Sequence, residues 1–168
     1  YMTESDHRLQ SMLQKLRDNN FKITPQRVEI LKILAASKGH PSAEQVHNKV
    51  KAVFPTTSLA TVYRNILKLK KLGEVIELAF PDGSNRYDGY KPYPHPHVVC
   101  LGCDKIIDPE LTNFKDMTKK ITGETGFEII THRIDFFGIC PECQKKNLEN
   151  SKLNSRGLKA HSDHCDRS

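Results

Sequence analysis

Apolar residues recur at helical spacing through the first half of the chain and then switch to alternation. Leu9, Met12, Leu13 and Leu16 form a stripe at intervals of three and four, which predicts a helix. Thr24-Pro25 pairs an N-cap hydroxyl with a proline whose missing N–H costs nothing in a first turn, so a second helix is expected from near Pro25, burying Val28, Leu31 and Leu34. Ser42 and Gln45 stand at capping-box spacing for a third helix, running to about Val53 and ended by Phe54-Pro55. Ser58 caps a fourth, on which Leu59, Val62, Ile66 and Leu69 face inward and which Gly73 closes.

From Gly73 the period becomes two. Val75, Glu77 and Ala79 alternate with Ile76, Leu78 and Phe80, and Pro81-Asp82-Gly83-Ser84 is a turn leading to Arg86, Tyr87 and Asp88, so a hairpin is predicted. Short helices followed by a hairpin are the layout of a winged helix-turn-helix over residues 2–90, with the fourth helix the one that enters a major groove. Three prolines between Tyr90 and Pro96 make 91–97 a stiff hinge. Beyond it, 98–150 reads as a small α+β domain. Val98 and Val99 lead in, Leu111, Phe114, Met117 and Ile121 suggest a helix ending at Gly123, and Phe127–Ile139 reads as a long strand with Ile130, His132, Ile134 and Phe136 on one face. The fold class is mixed α+β, with a polar, patternless tail over 151–168.

Charge sharpens this division. The net +6 is carried by residues 1–80, while the remainder balances to zero, and a basic surplus confined to the helical half points to a polyanion partner. No apolar run approaches the roughly 18 residues a spanning helix needs, and the polar start lacks a secretory pattern, so no membrane role and a cytoplasmic location are expected.

The chemistry is concentrated in the second half. Cys100-Leu-Gly-Cys103 and Cys140-Pro-Glu-Cys143, with 36 residues between them, have the spacing of a tetrahedral four-thiolate zinc site. Sulfur fills every position of such a site, so it stabilises the fold and catalyses nothing, and the chain is not read as an enzyme. Disulfides and a redox-active dithiol are the alternatives. Cys165, beside His161 and His164 in the tail, reads as a free thiol. A second set of donors gathers around the hinge: Asp88 at the end of the hairpin, His95 and His97 within it, Asp108 after the first cysteine pair, and His40 ahead of the third helix. Nitrogen and oxygen donors of this kind suit Fe(II), Mn(II) or Zn(II).

Thr24-Pro25-Gln26-Arg27, Ser58-Leu-Ala-Thr61-Val-Tyr63-Arg64-Asn65, His95-Pro-His97-Val-Val-Cys100-Leu-Gly-Cys103 and Gly138-Ile-Cys140-Pro-Glu-Cys143, in that order, resemble the ferric uptake regulator family of metal-dependent repressors over roughly residues 5–147. The resemblance implies a homodimer, joined through the second domain, that binds double-stranded operator DNA. It also implies structural Zn2+ on the four cysteines and a regulatory Fe2+ or Mn2+ on His40, Asp88, His95, His97 and Asp108. Aspartate at 108 resembles the peroxide-stress branch, whose iron form oxidises a ligand histidine, here His40 or His95, with peroxide as signal and no other small-molecule substrate. An iron, zinc or manganese uptake regulator is the alternative within the family, and a thiol redox protein the alternative outside it. The family's auxiliary metal site is expected to be absent, since Pro94, Pro96 and Lys115 stand at its positions and only His132 remains, read as a strand histidine with a local hydrogen bond. For DNA, Tyr63 is expected against a thymine methyl and Arg64 at a base edge or phosphate. Ser58, Thr61 and Asn65 lie at the leading end of the helix, and Lys15, Gln26 and Arg27 are expected on phosphate.

Overall fold

The computed structural model describes residues 1–80, 83–111 and 114–148, and the chain forms two compact units, Tyr1–Pro94 and His95–Ser168. Turn residues Pro81 and Asp82, the side chain of Lys115, and the tail with His161, His164 and Cys165 lie outside the described residues.

In the first unit, α1 (Glu4–Asp18), α2 (Pro25–Ala36), α3 (Ala43–Val53) and α4 (Leu59–Lys71) precede a hairpin of β1 (Ile76–Ala79) and β2 (Asn85–Asp88). Each helix starts where a hydroxyl can satisfy an orphan amide. Thr3, Thr24, Ser42 and Ser58 accept from the backbone N–H three residues on, and at Thr3 and Ser42 the return bond of a capping box is also made. The α1 box, closed by Asp6, is the one the sequence reading missed, because its acidic partner is not the usual Glu or Gln. The inward stripes meet in one core, with Met12, Leu16, Ile30, Leu31, Leu34, Val46, Val50, Val62, Ile66 and Leu69 all essentially inaccessible. Val28, expected inside, packs at the edge of this core, and Ile30 is buried instead.

The antiparallel register sets Ile76 opposite Asp88 and Ala79 opposite Asn85. Two contacts fix where β2 ends. Tyr87 N donates to Pro41 O at 3.0 Å, tying the strand to the turn before α3. Gly89 then passes so close to the core that a Cβ there would stand 2.9 Å from both Leu34 Cβ and Met12 Cε, so only glycine allows the chain through. The Arg8 guanidinium bonds Glu74 and the Gly89 carbonyl, joining α1 to both ends of the hairpin.

The second unit contains β3 (His97–Cys100), β4 (Ile106–Ile107), α5 (Phe114–Thr125), β5 (Asp135–Gly138) and a helical segment, α6, over 141–148. β3 is central, antiparallel to β4 and parallel to β5. Two expectations are corrected here. Helix α5 continues past Gly123, where a Cβ would meet nothing, and ends before Gly126, whose φ of 71° supplies the left-handed stop. The strand expected over Phe127–Ile139 shrinks to four residues, because its partner β3 is four residues long and residues 127–133 have no ladder to join. His132 therefore lies outside any strand, exposed, with no hydrogen bond found to it among the described residues.

Apolar burial differs sharply between the units. In the second, Val99, Cys100 and Ile106 are the buried hydrophobic residues among those described, while Met117, Ile121, Phe127, Ile130, Phe136 and Phe137 are exposed. Large apolar side chains left exposed in this number are suited to burial against a partner. No helix among the described residues is long and apolar enough to cross a membrane.

Candidate metal centres and DNA-reading helix

Strands β3 and β5 run in parallel register, with Cys100 opposite Gly138, and Leu101 N donates to Gly138 O at 2.8 Å. Both cysteine pairs thus emerge from the same end of one sheet. Their four sulfurs lie within 4.8 Å of one another, and Cys103 Sγ stands 3.8 Å from Cys140 Sγ. A tetrahedron with Zn–S bonds of about 2.3 Å sets its sulfurs about 3.8 Å apart, so the donor set and its size both fit zinc, and the sulfurs are free of disulfides. The first turn closes tightly: a Cβ on Gly102 would lie 3.1 Å from Cys143 Sγ, and Asp104 takes φ of 57° just after the second thiol.

Amide donors prepare the sulfurs for negative charge. Cys140 N and Gly102 N point at Cys100 Sγ from 3.2 and 3.3 Å, and the Cys140 amide, followed by that of Gly102, lowers this thiol to about 6. Cys143 moves the other way, pushed up to about 12 first by Cys140 and then by Cys103, since crowded thiols resist collecting several negative charges. A divalent cation removes that conflict.

His40 precedes Pro41 with φ of 52°, a backbone region that residues other than glycine rarely occupy, and its ring is buried. The Tyr87–Pro41 hydrogen bond brings the next residue, Asp88, alongside it, and His40 Nε2 lies 3.2 Å from Asp88 Oδ2. The other carboxylate oxygen, Oδ1, accepts from the amides of Tyr90 and Lys91 at 2.8 and 2.9 Å, which fixes the direction of Oδ2. These two donors belong to the first unit.

The second unit supplies His95, His97 and Asp108. His95 Nε2 lies 3.3 Å from Asp108 Oδ2, His97 Nε2 lies 4.0 Å from Asp108 Oδ1, and the two imidazole centroids are 4.4 Å apart. Two ligand atoms each about 2.1 Å from one ion, at right angles, are about 3 Å apart, so the His40–Asp88 and His95–Asp108 separations both fit shared coordination. Within each unit, then, the predicted donors are brought together. Asp135 was not anticipated: its Oδ1 lies 3.3 Å from His97 Nδ1. The only sequence signal would have been a strand register, which the overlong β5 concealed.

On α4, Ser58, Tyr63 and Arg64 are exposed, and Thr61 is partly so. Ser58 Oγ caps the helix and meets Thr61 Oγ1 at 2.9 Å, so both hydroxyls are engaged at its start. Asn65 is buried, bonded to Thr61 O and to Arg27 Nε. Its side-chain amide is thus engaged inside the protein at both its oxygen and its nitrogen. Lys15 is exposed on α1, while Gln26 and Arg27 are half-buried on α2. Tyr63 Oη donates to Glu44 Oε1 at 2.8 Å, a pairing no local pattern announces across 19 residues.

Residues 18–137 match the model of the ferric uptake regulator family. The chain is 38% identical over 144 residues to the peroxide-responsive repressor PerR of Staphylococcus saprophyticus, covering 84% of this chain and 95% of that one. It is 35% identical over 141 residues to PerR of Staphylococcus aureus, with the same coverage. Among solved structures, the Helicobacter pylori ferric uptake regulator Fur superposes with a TM-score of 0.71 at 28% identity, over 81% of this chain and 93% of that one. With its winged helix, its four-cysteine cage and its paired histidines and aspartates, this chain belongs to the ferric uptake regulator family.

Proposed function

We propose that this protein is a metal-dependent transcriptional repressor that binds operator DNA as a homodimer and releases it in response to hydrogen peroxide. Cys100, Cys103, Cys140 and Cys143 hold zinc for structure. One regulatory Fe(II) or Mn(II) takes its ligands from both units: His40 and Asp88 from the first, His95, His97 and Asp108 from the second. The observation that carries the reading is that each unit holds a compact nitrogen-and-oxygen half-set, His40–Asp88 at 3.2 Å and His95–Asp108 at 3.3 Å, separate from the thiolate cage. Such donors favour iron and manganese over metals that prefer sulfur. An ion completed only when both half-sets contribute couples metal binding to the arrangement of the DNA-binding units.

His40, Asp88, His95, His97 and Asp108 would hold the iron, which would supply stepwise electron transfer to peroxide. His40 and His95 are the imidazoles expected to be oxidised, with peroxide as the two-electron oxidant: a ring C–H bond is replaced by a C–O bond, the other peroxide oxygen leaves as water, and the oxidised ring no longer serves as a good ligand. Support for this branch comes from Asp108 and from relatives named as peroxide-responsive repressors. A second reading is an iron, zinc or manganese uptake regulator; the Helicobacter relative, a ferric uptake regulator, supports the iron form of it, and a manganese uptake regulator that superposes with a TM-score of 0.62 at 26% identity supports the manganese form. Operator binding by the Fe(II)- and Mn(II)-loaded protein, before and after peroxide and with mass spectrometry of the His40 and His95 peptides, separates them. Peroxide sensing predicts loss of binding and a gain of one oxygen in the iron form alone. An iron form that stays unmodified and bound establishes the uptake reading.

A further inference from the structure

Beyond the ligands themselves, His97 is held from behind. Its backbone N–H donates to Ile134 O at 3.0 Å, which sets the parallel register and places Asp135 directly opposite His97. Paired residues of adjacent strands project to the same face, so the imidazole and the carboxylate meet side by side. Asp135 Oδ1 lies 3.3 Å from Nδ1, while Asp108 approaches the other edge of the same ring, 4.0 Å from Nε2. Asp135 Oδ2 is in turn gripped by Arg133 Nε at 2.6 Å. Both His97 and Asp135 are largely buried at their side chains, 3% and 12% exposed, so water competes little for these bonds.

We infer that Asp135 is a positioning residue for the regulatory metal: its carboxylate binds the Nδ1 edge of His97 and thereby presents Nε2, with its lone pair, toward Asp108. An ionised carboxylate can only accept, so Nδ1 carries the proton and Nε2 is left as the coordinating nitrogen. Asp135 cannot ligate the same ion through this arrangement, because the imidazole ring lies between it and Nε2. Arg133 completes the chain by occupying the second oxygen and preventing the carboxylate from rotating away. Outer carboxylates of this kind fix ring orientation and increase the donor strength of the ligating nitrogen. The inference rests on the regulatory-site reading above and adds to it a residue outside the ligand set.

The experiment compares full-length, zinc-loaded wild type with Asp135→Asn, Asp135→Ala and His97→Ala. Mn(II) affinity is measured by competition with a fluorescent chelator, zinc content by elemental analysis, and the His97 tautomer by long-range proton–nitrogen NMR before Mn(II) is added. Wild type is expected to show His97 protonated at Nδ1. Asp135→Ala should lose that preference and bind Mn(II) about 10–100-fold more weakly with zinc content unchanged. Asp135→Asn, which keeps the shape but loses the charge, should fall between them, and it decides the matter if the alanine variant sheds zinc. An unchanged tautomer and unchanged Mn(II) affinity in both Asp135 variants, with His97→Ala defective, overturns the role of Asp135 alone. Wild-type Mn(II) binding by His97→Ala overturns the regulatory site and, with it, this inference.

Discussion

Arg27 Nε donates to Asn65 Oδ1 at 2.6 Å, linking the start of α2 to the buried face of α4. The amide is oriented from its other end, where Asn65 Nδ2 donates to Thr61 O at 2.8 Å, and the Arg27 guanidinium also bonds the Lys22 carbonyl. Asn65 is therefore a bracket that holds the Arg27 cation against α4. Charge fixed in place before binding loses less side-chain entropy on meeting a phosphate.

Asn65→Ala should destabilise the first unit by about 1–3 kcal/mol, the cost of leaving buried polar groups without their partner. If the Arg27 that Asn65 holds contacts phosphate, the substitution should also weaken operator and random DNA by similar factors. Urea unfolding and paired DNA titrations test both parts. A loss confined to the operator would return Asn65 to direct base reading.

Arg64 behaves differently, being exposed on α4 with one nitrogen 3.2 Å from Thr61 Oγ1. Arg64→Ala should cost about 1–3 kcal/mol on operator DNA and much less on random sequence if it contacts a base edge. Equal losses on the two DNAs would assign it to the backbone.

Tyr63 is held by Glu44, and the pair predicts a pH response. The phenol is raised above its ordinary 10.0, first by the hydrogen bond to Glu44 and then by burial. The neutral phenol is the donor, so the contribution of the bond is complete below pH 10 and is lost as pH rises through the raised value. Glu44 is lowered from 4.5, first by its own backbone amide and then by Tyr63, so its contribution is present above that pH and fades as pH falls through the lowered value. Ultraviolet titration of Glu44→Gln should show one tyrosine ionising at lower pH than in wild type. An unchanged tyrosine profile would mean that the pair does not persist in solution.

What the sequence made legible was local. Thr24, Ser42 and Ser58 begin their helices because a cap and the amide it satisfies are three residues apart, and the cysteine pairs carry their own ligand spacing. What it concealed depends on distant partners. The alternation of Ile130, His132, Ile134 and Phe136 is a genuine strand pattern, yet only residues opposite β3 can use it. The left-handed backbone of His40, the bracket at Asn65 and the support of His97 by Asp135 arise from packing across 38 residues or more, or from strain that no residue type advertises.

Glycines in the second unit give a controlled comparison. Gly102→Ala places a methyl 3.1 Å from Cys143 Sγ, so it should speed zinc loss to a chelator. Gly123→Ala adds a methyl to open space inside α5 and should instead stabilise by about 0.5–1 kcal/mol, the backbone entropy that glycine forfeits in a helix. Chelator kinetics and thermal unfolding, read on both variants, check that the sign differs between the two sites.

Zinc removal should also divide the chain. Among the described residues, the four helices of the first unit pack twelve apolar side chains that are no more than 1% exposed, whereas the second unit buries Val99, Cys100 and Ile106. Burying a large aliphatic side chain contributes about 1.5–3 kcal/mol, so so few residues cannot outweigh the chain entropy of a unit this size. The thiolate cage, which ties the ends of β3 and β5 to α6, and the apolar side chains that a partner subunit would cover together supply the difference. Chelation or Cys140→Ser is therefore expected to abolish amide-exchange protection in β3 and β5 while α2, α3 and α4 keep theirs. Protection that survived metal removal in β3 would show that the sheet stands without its metal, and would reduce the cysteine site to an accessory of the fold.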